Sequence, residues 1–244
     1  MISRFFTFEE SATLLEGAYH FPLVVLSLLV AIFASFMAFN VAGQAAVTTD
    51  HLRRNTLLGT GSIALGGGIW SMHFLGMTAF DLCVSVEYDP LITGLSALPG
   101  IAAAWVALNL LIKTRISVSE VILGGVLVGA GIGTMHYSGM AAMEMAPLLR
   151  YNLPMFALSI IVAVLLAMLS LWIKFGIRAA TKSKKLLGKH VLLASVVMGC
   201  AIAGMHYTGM AAARFVLPLG METSAQSSNI AVFLAVSIAI IFPT

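Results

Sequence analysis

Charge is scarce in this chain. Asp, Glu, Lys and Arg make up 9% of its 244 residues, against about a quarter in an average soluble domain. With 60% hydrophobic residues and a mean hydropathy of +1.01 beside that shortage, a soluble fold is excluded: too few polar groups remain to cover the surface. Cysteine is nearly absent. Cys83 and Cys200 are the two, and the spans below put them at different depths, so no disulfide is expected. Positive charge is missing where a secretory leader needs it, because residues 1–20 carry Glu9, Glu10 and Glu16; no signal peptide is read there. The apolar segments offer no nucleophile beside a base and no paired carboxylates, so no enzyme is read from them.

What is present is a series of long apolar runs. They predict membrane helices near 21–43, 56–80, 91–112, 120–143, 153–175 and 190–213, and a seventh at 229–244. Each of the first six approaches the ~20 residues a bilayer crossing needs. Lys and Arg set the orientation. The loops after spans one, three and five carry Arg53, Arg54, Lys113, Arg115, Lys174, Arg178, Lys182, Lys184, Lys185 and Lys189; the other side carries Arg4, Arg150 and Arg214. The first side is therefore read as cytoplasmic. Residues 1–20 are outside and the C-terminus is inside. The basic loop 174–189 is read as topology and lipid contact, with no nucleic-acid role.

The runs repeat. Met72-His73-Phe74-Leu75-Gly76-Met77 is followed by Met135-His136-Tyr137-Ser138-Gly139-Met140 and Met205-His206-Tyr207-Thr208-Gly209-Met210. The histidines are 63 and then 70 residues apart. Tyr19, Tyr88 and Tyr151 open the odd spans, with Ser27, Ser96 and Ser159 eight residues on; Ile69, Ile132 and Ile202 precede the histidines by four. The unit is two helices, present three times (about 19–81, 88–144 and 151–214), followed by the final helix. A two-span unit returns the chain to its starting side, so the repeats run parallel about an axis along the membrane normal. The expected fold is an all-α polytopic membrane protein of seven helices, with the three histidines at one depth in the outer half of the bilayer.

An ionisable side chain inside a membrane is costly and marks a functional site by default. A single buried His is as often helix-to-helix glue; three in one pattern favour a site. His and the Met four residues on share a helix face, so His73 goes with Met77, His136 with Met140 and His206 with Met210. Imidazole nitrogen beside thioether sulfur suits copper, Cu(I) above all. Met72, Met135 and Met205 are turned ~100° away and are expected to pack on neighbouring helices or close the next repeat's site. Tyr137 and Tyr207 offer hydroxyls near the histidines, where Phe74 offers none. Asn40 and Asn109 are expected to bond between helices. His20, His51 and His190 read as interfacial or solvated.

These residues resemble the MHYT family, a bacterial integral membrane sensor domain. Met205-His206-Tyr207-Thr208 is the family tetrapeptide, Met135-His136-Tyr137-Ser138 differs from it at one position and Met72-His73-Phe74-Leu75 at two. The resemblance implies a transmembrane sensor over residues 21–244, lying N-terminal to cytoplasmic output modules such as GGDEF and EAL domains of cyclic di-GMP signalling, or a histidine kinase. It implies copper, Cu(I) or Cu(II), as cofactor and O2, NO or CO as ligand, in the bacterial inner membrane. A homodimer follows from the same analogy. The chain carries no output motif and is expected to be the sensor portion alone. Two other readings remain: a haem-binding membrane sensor, and a transporter for a metal ion or protons.

Overall fold

The computed structural model describes residues 6–7, 14–82, 84, 86–113, 115–145, 148–180 and 184–216, without the side chains of 7, 174–180, 184–188 and 190. The expected seventh span at 229–244, Cys83 and the His190 side chain lie outside the described residues.

The helices are α1 (Phe21–Val47), α2 (His51–Thr78), α3 (Pro90–Leu95), α4 (Ala97–Leu111), α5 (Val118–Ala141), α6 (Leu153–Ala180) and α7 (Lys184–Ala212). Among the described residues five segments are long and apolar enough to cross a membrane: Phe21–Val47, Pro90–Leu111, Val118–Ala141, Leu153–Ile173 and Val191–Ala212. α2 is as long as the others but less apolar, because it opens with Arg53 and Arg54 and carries Gly and Ser through its middle. Its second half, Leu65 to Met77, is buried throughout. The third expected span is two helices interrupted at Ser96. Pro99 has no N–H to give the Leu95 carbonyl, which breaks the ladder at this point. Local signals start the helices: the Asp50 carboxylate accepts from the Leu52 N–H, Asp89 accepts from Ile92 with Pro90 following it, and Ser117 forms a capping box with Glu120.

The long helices close a ring in the order α1, α2, α4, α5, α6, α7 and back to α1. α2, α5 and α7 also touch one another across the middle. Glycine permits each of these three inner helices to pack closely on an outer one. A Cβ at Gly66 would run into the Ile101 backbone, at Gly129 into the Val164 backbone and at Gly199 into the Ile32 backbone, each closing to 2.5–2.7 Å. Gly66, Gly129 and Gly199 each stand seven residues before a motif His, so corresponding residues make corresponding contacts around the ring.

Short strands cap one end of the bundle, a departure from the all-α expectation. They are β1 (Phe6–Thr7), β2 (Ala18–Tyr19), β3 (Phe80–Asp81), β4 (Glu87–Tyr88), β5 (Met143–Glu144), β6 (Leu148–Asn152) and β7 (Ala213–Val216). The strands leaving α2, α5 and α7 pair antiparallel with those leading into α1, α3 and α6: β3 with β2, β5 with β4, β7 with β6. β1 adds to β6 in parallel. At a membrane edge the backbone groups between helices need partners, and these pairs supply them. Most are two residues long, too short to show the alternation by which a strand is read from sequence.

Asn40 and Asn109 correct another expectation. Their side-chain amides donate to the Phe36 and Trp105 carbonyls of their own helices, at 2.7 and 2.8 Å. Asn40 is exposed and Asn109 partly so, and for each the carbonyl one turn back lies within hydrogen-bond reach.

Candidate metal centre

α2, α5 and α7 carry His73, His136 and His206 to the middle of the ring, five or six residues before each helix ends. That is ~8–9 Å from the strand-capped end. All three side chains are 0–1% exposed. Their Nδ1 atoms form a triangle with sides of 3.1, 3.1 and 3.3 Å. The rings stand edge to face, with interplanar angles of 81–84°.

The faces above and below are set by helical periodicity. One turn towards the strands lie Met77, Met140 and Met210; one turn the other way lie Ile69, Ile132 and Ile202, all 5% exposed or less. The methionines belong to an apolar cap with Leu82, Tyr151 and Phe215. Met72, Met135 and Met205 are buried in the main core. Met135 lies against Gly100 of α4 and Met205 against Gly133 of α5.

The tyrosine hydroxyls bond to serines of the next outer helix. Tyr137 Oη lies 2.6 Å from Ser159 Oγ, and Tyr207 Oη 2.8 Å from Ser27 Oγ. In the first copy Phe74 has no hydroxyl, and the Trp70 indole N–H donates to Ser96 Oγ at 3.1 Å instead. The serine and tyrosine positions were both visible as repeats, but their pairing was missed: the partners are 22 and 180 residues apart and belong to different units. Cys200 is exposed and stands outside the histidine group. His20 lies 3.8 Å from the Asp81 carboxylate at the capped end, and His51 Nδ1 lies 3.0 Å from an Arg54 guanidinium nitrogen at the other. Asp81, Glu87 and Glu144 are exposed on the strands; Glu87 and Glu144 sit directly opposite each other.

Three converging nitrogens fit a cation. The point equidistant from them is about 1.8 Å from each, the 3.1–3.3 Å sides divided by √3. First-row ions bond imidazole at about 2.0–2.1 Å, so a sub-ångström adjustment suffices. Neutral imidazoles protonated on Nε2 would otherwise turn three lone pairs on one another. The Nε2 atoms themselves are buried with no hydrogen-bond partner among the described residues. Imidazole donors suit Zn, Cu, Fe or Ni.

The family model described as MHYT, bacterial signalling protein N terminal repeat, matches residues 10–60, 66–124, 129–188 and 199–242. The chain belongs to the MHYT family. Seven residues beyond the four starts stand Gly17, His73, His136 and His206, so three of the four MHYT segments carry a histidine at that place. This phase joins α2 to α3 and α4, and α5 to α6, the pairs that the Gly66–Ile101, Gly129–Val164 and Tyr137–Ser159 contacts also join; the corresponding contacts of α7 go to α1. The MHYT chain is 42% identical over 217 residues to the bifunctional diguanylate cyclase/cyclic di-GMP phosphodiesterase MucR of Pseudomonas aeruginosa, covering 89% of this chain and 31% of that protein. It is 34% identical to the cyclic di-GMP phosphodiesterase NbdA of the same organism, over 86% of this chain and 26% of the relative. It is 33% identical to the signaling protein YkoW of Bacillus subtilis, over 90% and 28%. The chain thus spans less than a third of the length of these curated relatives. No solved structure matches it.

Proposed function

We propose that this MHYT domain is a copper-binding membrane sensor of a diatomic gas, or of redox or copper state. The observation that carries the reading is the buried triangle of Nδ1 atoms, 3.1–3.3 Å on a side. His73, His136 and His206 would hold the ion. Met77, Met140 and Met210, one turn outward, would offer soft sulfur. Copper bound there would supply redox activity and affinity for O2, NO or CO. The chain's own part is to desolvate the site, fix the ring directions and keep charge away from it. A gas dissolved in lipid reaches this depth without crossing water.

The fold is read as three parallel two-helix units plus a seventh helix, with residues 1–20 outside the inner membrane and the C-terminus in the cytoplasm. MucR and NbdA are named as cyclic di-GMP enzymes, which supports an output domain of GGDEF or EAL type beyond this portion, acting as a dimer. A change at the triangle would shift α2, α5 and α7 against one another, because all three meet there.

Two other readings fit less well. Haem held between two histidines needs their nitrogens on opposite faces of one iron, about 4 Å apart at about 2 Å per bond, with a macrocycle between; nitrogens at 3.1–3.3 Å leave no room for that arrangement. A transporter needs polar groups on both sides of the site. Here Ile69, Ile132 and Ile202 form the floor, and the buried hydroxyls Ser35, Ser62 and Ser195 donate to carbonyls of their own helices. The test is anaerobic loading with Cu(I), then carbon monoxide, read by infrared spectroscopy. A protein-bound C–O stretch that vanishes in the triple variant His73→Ala/His136→Ala/His206→Ala is expected. Absence of that band in a copper-loaded native protein, or a Soret band in the purified one, would overturn the gas-sensing copper reading.

A further inference from the structure

We propose that Gly76, Gly139 and Gly209 are positioning residues, each forming the seat that holds the histidine of another repeat with Nδ1 turned to the centre. The His73 ring lies on Gly139, the His136 ring on Gly209 and the His206 ring on Gly76. A Cβ at any of the three would collide with Nε2 of that ring and stand 2.7–2.8 Å from its Cδ2. Nothing larger than hydrogen fits there.

The seat decides which nitrogen faces inward. Each Nε2 faces a glycine of another repeat with no hydrogen-bond partner among the described residues, while each Nδ1 lies within hydrogen-bond distance of the other two. On the Nε2 side, shape holds the ring. A ring pushed off the seat would swing Nδ1 away from a triangle whose sides are 3.1–3.3 Å.

The seats also couple the helices. α2 carries His73 and the seat for His206; α5 carries His136 and the seat for His73; α7 carries His206 and the seat for His136. Displacing one helix moves its own imidazole and releases a second. The triangle is therefore made or lost as a unit. This rests on the histidines acting as a site, but the seat itself can be tested without a metal.

The variants are Gly139→Ala, His73→Ala, their combination, and Gly131→Ala as control. Gly131 packs on Ala103 and the Pro99 carbonyl of α4, away from the rings. Stability in detergent is compared in a double-mutant cycle. Gly139→Ala is expected to destabilise the native protein and to be neutral once His73 is Ala. In the metal-free protein with 15N-labelled histidine, Gly139→Ala should shift the His73 ring resonances most, and Gly131→Ala should leave them in place. Copper affinity should fall about 10–100-fold in Gly139→Ala, the usual penalty for losing support behind a ligand, and stay within about twofold in Gly131→Ala. If Gly139→Ala costs the same with and without His73, or shifts no histidine resonance, the proposal is overturned. If the native protein binds no copper but the coupling and the shift are seen, the seat stands and the copper reading falls.

Discussion

Gly129 is where the bundle tolerates least. In Gly129→Ala the new methyl would stand 2.7 Å from Val164 Cα and N. Ordinary contact begins near 3.4 Å, so α5 and α6 must part by about 0.7 Å at this point, since backbone atoms have no rotamer to escape into. Overpacking of this kind costs about 1–3 kcal/mol. Replacing Gly by Ala within a helix also contributes about 0.8–1.0 kcal/mol of stabilisation, so a lone measurement mixes two effects. Gly43→Ala separates them, because nothing lies within 4 Å of a Cβ there. The difference between the two variants isolates the overpacking, and it should be about 1–3 kcal/mol. Gly66→Ala and Gly199→Ala should behave like Gly129→Ala, because Ile101 and Ile32 present backbone at the same range. Denaturation in one detergent, followed by circular dichroism, measures all four. If Gly129→Ala is as stable as Gly43→Ala, the close approach of α5 and α6 is wrong, and with it the convergence of the histidines.

Other outcomes follow from the same geometry. Tyr137→Phe should cost about 1 kcal/mol or less, the usual range for a hydrogen bond between membrane helices, and should be non-additive with Ser159→Ala in a double-mutant cycle. Cys200→Ser should leave copper content unchanged, because Cys200 is exposed and outside the histidine group. Alkali should weaken the capped end. Burial pushes the Tyr88 and Tyr151 phenols above their ordinary value of 10.0. Above pH 10 the unfolded chain has then released protons that the folded chain keeps, so stability falls as pH rises past 10. Stability that stays flat from pH 9.5 to 11.5, or phenolate absorbance rising with a midpoint of 10 in the folded protein, would count against the buried placement.

Much of the site was legible in the sequence. Hydropathy located α1, α2, α4, α5, α6 and α7, and the repeat spacing implied that His73, His136 and His206 share a depth. Convergence followed only if α2, α5 and α7 form the middle of the ring; their glycines hinted at this, since Gly66, Gly129 and Gly199 recur at one distance from the histidines. The ring directions were not legible. Whether Nδ1 or Nε2 faces the centre depends on Gly76, Gly139 and Gly209 lying under a different repeat's histidine, which is a matter of helix rotation and not of spacing. The repeat phase was hidden for the same reason. Pairing along the chain joins α1 with α2, while the Gly199–Ile32 and Tyr207–Ser27 contacts join α7 back to α1. The short strands escaped because two residues carry no period. The Asn40 and Asn109 amides bond to carbonyls one turn back in their own helices, and a matched repeat position does not distinguish that from a bond between helices.

The central claim is that the three imidazoles hold a metal ion. Mass-spectrometric metal analysis of detergent-purified protein, beside the folded triple variant His73→Ala/His136→Ala/His206→Ala and after anaerobic loading of both with Cu(I), tests it most directly. The account predicts copper at one or more per chain in the native protein and none in the variant. Native protein that takes up no copper under those conditions, or a variant that retains it, would contradict the account.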